Sequence, residues 1–324
     1  MPKVLVRKNP AAFKTLPLFV EATPESLSYQ SLGTPLNFTQ MLERRRPVAV
    51  NDSNRFGLEL ANLGVSIRLT LRWQGRDYWV LVRQQRHDRG DVVLKLLSGY
   101  VPAHELNLPL FTAVQEIAEE CLLETPEGWL TGRFGNIWLS TPYTDLHYRE
   151  AAPFRLHARS GAARPVYCGA TPLVERPRAY VHLPTASLQL VYDMYMELPK
   201  GVQNLSLFHV DERVEEGKLV ASLERSRPDL YLIPLVQGLP CDELFTLRKG
   251  QLTPASTRGL WLAESFAPQE GWVVRDERIS WKDWLAHRPN GRPKATLTRL
   301  TPRPNLDSTA ITSASVLEIA AQPA

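Results

Sequence analysis

From residue 65 to residue 73 apolar and polar side chains alternate (Val-Ser-Ile-Arg-Leu-Thr-Leu-Arg-Trp), and after Gln74-Gly75 an apolar run resumes at Tyr78-Trp-Val-Leu-Val-Arg. A period of two puts alternate residues on opposite faces of a strand, and a short glycine-bearing break between two such runs predicts a β-hairpin. After a polar stretch at 83–90, Asp91-Val-Val-Leu-Lys-Leu-Leu predicts another strand, running directly into Ser98-Gly99. The period then lengthens to three and four: Phe111, Val114, Ala118, Cys121 and Leu122 predict a helix over 109–124, with Pro109 in the first turn and Thr125-Pro-Glu-Gly as its stop. Strands are predicted again at 188–198, 205–210 and 230–235. Short helices are predicted at 38–45, at 242–249 closed by Gly250, and at 281–287 with Ser280 as N-cap.

Between these elements the chain is less regular. Residues 1–60 read as an extension punctuated by Pro10, Pro17, Pro24, Pro35 and Pro47, with no legible chemistry. Residues 144–180 have no sustained period and are taken as an insertion within a domain spanning 61–287. From 288 to 324 the composition shifts to Pro, Arg, Ser and Thr, which predicts a flexible tail.

Across all 324 residues, 44% hydrophobic and 22% charged residues describe an ordinary globular chain, and no apolar run is long enough to span a bilayer. The net charge of +4 attracts anions without selecting nucleic acid among them. Cys121, Cys168 and Cys241 lie far apart, and none of the seven histidines has metal-ligand spacing with another, which argues against disulfide and zinc frameworks. The amino terminus carries no secretory h-region, and cytoplasm is the expected compartment.

The candidate chemistry lies between strand and helix. Gly99-Tyr-Val-Pro-Ala-His-Glu105 leads to a helix carrying Gln115-Glu116-Ile-Ala-Glu119-Glu120. At about 100° per residue, Glu116, Glu119 and Glu120 share one face, and three crowded carboxylates call for positive charge between them. Oxygen donors of this kind suit Mg²⁺ or Mn²⁺. Gly99 at the end of the strand lets the backbone turn sharply or approach a ligand closely.

This segment resembles the box of the Nudix hydrolases, G-x5-E-x7-R-E-U-x-E-E-x-G-U. Gly99 and Glu105 match at the family's spacing; Glu116, Ile117, Glu119, Glu120 and Leu123 match beyond them. It departs in three ways: nine residues rather than seven follow Glu105, Gln115 replaces the arginine, and Leu122 replaces the second glycine. The resemblance implies an α/β fold, an α/β/α sandwich around a mixed sheet. It also implies Mg²⁺ or Mn²⁺ on Glu116, Glu119 and Glu120, with Glu119 and Glu120 catalytic. Gly99 and His104 would lie beside a nucleotide-type small-molecule substrate. The implied activity is hydrolysis of the diphosphate in a nucleoside diphosphate linked to another moiety. Gln115, Leu122 and the longer loop motivate a rival expectation, a non-catalytic Nudix-like module that binds a nucleotide or a protein partner.

Asp193 and Glu197 share one strand face and are candidates for a base directed at the site, as is the Glu215-Glu216 turn. Trp73, Tyr78, Trp79, Tyr100 and Trp138 are candidates for base stacking. The basic residues of the tail, Arg288 to Arg303, read as solvated rather than as a nucleic-acid site. No membrane partner is expected, and the sequence does not specify an oligomeric state.

Overall fold

The computed structural model describes residues 2–8, 14–86, 91–159, 164–215, 218–227 and 229–287; the predicted tail lies outside them. In chain order, β1 (Lys3–Leu5), β2 (Leu18–Ala22), β3 (Leu27–Ser31), α1 (Phe38–Arg44) and β4 (Phe56–Leu60) come first. The hairpin β5 (Asn62–Trp73) and β6 (Arg76–Arg86) follows, then β7 (Asp91–Lys95), β8 (Leu97–Tyr100) and α2 (Pro109–Glu120). Next are β9 (Cys121–Thr125), β10 (Gly128–Phe134), β11 (Ile137–Trp138), β12 (Tyr148–Arg159), β13 (Val166–Cys168), β14 (Thr171–Pro172) and β15 (Arg178–His182). β16 (Ser187–Glu197), β17 (Ser206–Glu215), β18 (Lys218–Leu223) and β19 (Leu230–Val236) complete the larger strands, and α3 (Trp281–His287) closes the described chain.

The class is mixed α/β, rich in strand: three α-helices accompany a 21-stranded hydrogen-bonded network and a separate five-stranded sheet among the described residues. At the centre of the network β5 runs parallel to β16 and antiparallel to β6 and β8. The two glutamines and glycines that punctuate the strands have a shared geometry: Gln74-Gly75 and Gln237-Gly238 have φ of +49°, +79°, +53° and +80°. Positive φ at both central residues matches the right-handed twist of the strands the turn joins.

Successive residues of the central strands enter different cores. Val80, Val82, Leu190 and Tyr192 pack in one, together with Leu110, Ala113, Val114 and Ile117 of α2. Leu81 and Val191 pack in the other, together with Trp281 of α3. Since side chains alternate across a strand, α2 and α3 cover opposite faces of the sheet. The five-stranded sheet contributes Leu18, Val20, Leu27 and Tyr29 to the α2 side, and it joins β2, β3 and β4 of the first 60 residues to β13 and β14 of the 144–180 segment.

Several expectations are corrected. The helix ends at Glu120 rather than 124, because Cys121, Leu122 and Leu123 instead pair with His209, Phe208 and Leu207 of β17. The helix expected at 242–249 is absent; Phe245–Arg248 is a strand whose partner is Gln251–Pro254, turned at Lys249-Gly250 with φ of +48° and +78°. The 144–180 segment contains four strands in place of an irregular insertion. The helix at 281–287 forms as expected, with the Asp283 amide donating to Ser280 Oγ at 3.1 Å. No helix of the described residues is long and apolar enough to cross a membrane.

Candidate functional site: a buried carboxylate cluster on α2

Strand β8 delivers Gly99 directly beneath α2. Gly99 pairs with Val65, a core residue on the α2 side, and a Cβ built at Gly99 would collide with the Glu116 carboxyl. The glycine is therefore needed for close approach, since it is not among the residues with positive φ. Pro109 begins the helix at its first turn, as the sequence suggests, and Glu105 Oε2 accepts from Thr112 Oγ1 at 2.6 Å, tying the preceding loop to the helix.

Glu116, Glu119 and Glu120 gather as expected, and β17 adds a fourth carboxyl, Glu212. Arg7 bridges two of them: its guanidinium is bonded to Glu119, and its Nη2 lies 2.8 Å from Glu212 Oε1. Tyr143 donates to the Glu119 backbone carbonyl at 3.0 Å and stands 3.4 Å from Glu212 Oε1. On the other flank Lys95 donates to Ser98 Oγ at 3.0 Å, while the Ser98 amide points at Glu120 Oε2 from 3.5 Å.

Among the described residues these four carboxyl groups thus meet the charges of Arg7 and Lys95, and removal from water acts on each of the four. Burial, then Glu120 and Glu119, push Glu116 well above the usual carboxylate range. Burial raises Glu120 against the opposing charge of Lys95, and raises Glu119 against Arg7. Glu212 is lifted by burial to about 7 despite Arg7. Nearby, burial and then Lys95 hold His209 neutral, at about 3, and its Nε2 is buried without a hydrogen-bond partner among the described residues.

Carboxylate oxygens are the donors that a hard divalent cation prefers. No three His, Cys, Asp or Glu side chains of the described residues are already arranged as a coordination shell. Arg7 is the visible reason at Glu119, which it engages directly.

No protein-family model and no curated protein matches the chain.

The other candidates lie elsewhere. His104 is 79% exposed and stands 3.4 Å from Glu105 Oε1, at the amino-terminal end of α2 rather than among the buried carboxyls. Asp193 forms a two-pronged ion pair with Arg68, both bonds 2.5 Å, on the face opposite α2, and Glu197 meets His157. Neither is directed at the cluster. Glu216 and the Glu215 side chain lie outside the described residues. Of the aromatic candidates, Trp73 and Tyr78 are core, Trp79 lies under Arg68, Tyr100 packs on Phe38, and Trp138 is exposed beside Arg133. Gln115 accepts from Ser140 Oγ at 2.9 Å and so bonds away from the glutamates. An apolar cavity of about 260 Å³ flanks the same helix, lined in part by Phe111, Val114, Gln115, Phe134 and Leu139.

Sequence reasoning missed Arg7, Lys95, Tyr143, His209 and Glu212. Apart from Lys95, each reaches α2 from a distant part of the chain, Arg7 across 112 residues. The only local signal was Lys95, four residues before Gly99 at the end of a strand.

Proposed function

We propose that the chain is a Nudix-like hydrolase, dependent on a divalent cation, that cleaves the diphosphate of a nucleoside diphosphate linked to another moiety. The single observation that supports it is the surplus of acid among the described residues of the cluster: buried Glu120 and part-buried Glu116, Glu119 and Glu212 against Arg7 and Lys95. A mixed sheet covered by α2 on one face and α3 on the other supports an α/β/α reading of the fold.

In this reading Glu116, Glu119 and Glu120 would hold Mg²⁺ or Mn²⁺, Glu119 in exchange for its bond to Arg7. A bound cation supplies neutralisation of the diphosphate and a more acidic water. Glu212 accepts the proton of the attacking water, a role suited to a carboxyl whose pKa lies near 7. The water oxygen bonds to phosphorus as the bridging P–O bond breaks, and the leaving phosphate carries away the bond's electron pair. The apolar cavity beside Phe111 and Phe134 receives the non-phosphate part of the substrate.

A second reading, a non-catalytic Nudix-like module that binds a nucleotide or protein partner, is favoured by Arg7 itself, which occupies Glu119 and Glu212 together. The two separate on incubation of the full chain with dinucleotides, nucleotide sugars and nucleoside triphosphates, in Mg²⁺ or Mn²⁺ and again in EDTA. Cation-dependent release of phosphorylated products is expected. Absence of turnover on every substrate, with a nucleotide still raising the melting temperature, would replace the hydrolase with the binding module.

A further inference from the structure

On the face of the sheet away from α2, cross-strand register builds a row of charge. Asp193 of β16 is opposite Arg68 on one side and Arg159 on the other, and Arg178 is opposite Val191, two residues back along β16. Arg164 and Arg176 complete the lining of a cavity of about 500 Å³ in which Asp193 is the sole carboxylate among the described lining residues. Five guanidinium groups therefore meet one acid, and Asp193 is already spent on Arg68.

We propose that this cavity is a binding site for a compact anion carrying two or more linked phosphate groups, as in inorganic triphosphate or the phosphate end of a nucleotide. The guanidinium groups are held ready for it. Arg68 lies over Trp79 at 5.2 Å, Arg159 over Tyr195 at 4.9 Å and Arg164 over Trp272 at 3.7 Å from the ring centroids. Arg164 also donates to the Gly271 carbonyl at 2.6 Å. Stacking of this kind orients a planar fork before a ligand arrives, and the fork matches phosphate oxygens two at a time.

Asp193 apart, no described residue of the lining offers these cations an opposite charge. Removal from water, followed by repulsion from Arg68, draws Arg178 below its usual value, and removal from water draws Arg164 down. A polyanion relieves both effects, whereas one orthophosphate would leave most of the charge unanswered. The three aromatic faces are covered by arginine, so charge and not base stacking is the recognition element. The site shares no residue with the carboxylate cluster, and it stands whether or not the chain is a hydrolase.

Calorimetric titration of the full chain at low salt, with inorganic triphosphate, ATP, orthophosphate and a 20-nucleotide single strand, tests this. The variants are Arg176→Gln/Arg178→Gln, with Arg44→Gln on α1 as a control for the loss of an exposed positive charge outside both sites. Triphosphate is expected to bind at least about tenfold more tightly than orthophosphate, and the double variant to lose at least about tenfold, through its lost charge-assisted bonds. Arg44→Gln should bind as the parent does. Equal affinity for triphosphate and ATP would place recognition in the phosphates alone, and tighter ATP binding would identify a nucleotide as the source. Absence of binding, triphosphate affinity untouched in a folded double variant, or an oligonucleotide that binds more tightly than triphosphate through the same arginines would overturn the proposal.

Discussion

Glu120→Gln is expected to lower cation-dependent turnover by at least about 100-fold, because loss even of supporting groups around a metal costs 10–100-fold. The same substitution should raise the melting temperature at pH 8. Glu120 is 9% exposed, and burial raises its pKa despite Lys95, so the ionised form is a cost to the folded chain. Glutamine has the same shape, keeps an acceptor for the Ser98 amide, and carries no charge. A group retained for function at the expense of stability shows this opposition, while a purely structural group would lose both together. Steady-state rates and thermal melts on one preparation provide the check, and a variant less stable than the parent at pH 8 would count against the account.

Gly99→Ala should cost about 1–3 kcal/mol, the usual range for overpacking a well-filled interior. Its nearest obstacles are the Glu116 carboxyl atoms, the far end of a flexible side chain, which must shift from its place in the cluster to admit the methyl group. The loss should therefore be partly recovered in Gly99→Ala/Glu116→Ala. Denaturant unfolding of the two single variants and the double variant gives the coupling directly. A coupling near zero would mean that Glu116 does not rest on Gly99.

The elements that position the cluster were legible because they are built from local pattern. Alternation around Gln74-Gly75 defined β5 and β6, and the three-and-four spacing after Pro109 defined α2 and put Glu116, Glu119 and Glu120 together. The end of α2 was not legible, since Cys121 and Leu122 continue the helical spacing and only pairing with β17 makes them strand. At 245–248 the apolar spacing of Leu244 and Leu247 imitated a helix, while the turn at Lys249-Gly250 carried the correct reading. β12 was hidden because, among its twelve residues, only Phe154 and Leu156 are fully buried. Half of the site was invisible for the same reason of distance. Nothing near Arg7 or Glu212 announces that the two meet.

The central claim is that the α2 carboxyls hold a divalent cation, and its sign with pH is fixed. Groups whose pKa is raised on folding bind more protons in the native state, so Glu116, Glu119, Glu120 and Glu212 lose stability for the chain as pH rises above the usual carboxylate range, Glu212 through about 7. His209, depressed to about 3, acts oppositely between about 3 and 6.5, and has no further effect above that. A cation should therefore stabilise most where the carboxyls are most ionised. The decisive measurement is the melting temperature with and without saturating Mg²⁺ or Mn²⁺, at pH 8 and pH 5, for the parent and for Glu116→Gln/Glu120→Gln. A rise of about 3–6 °C at pH 8, much smaller at pH 5 and lost in the variant, is the expected result. No rise at pH 8, or an equal rise in the variant, would contradict it.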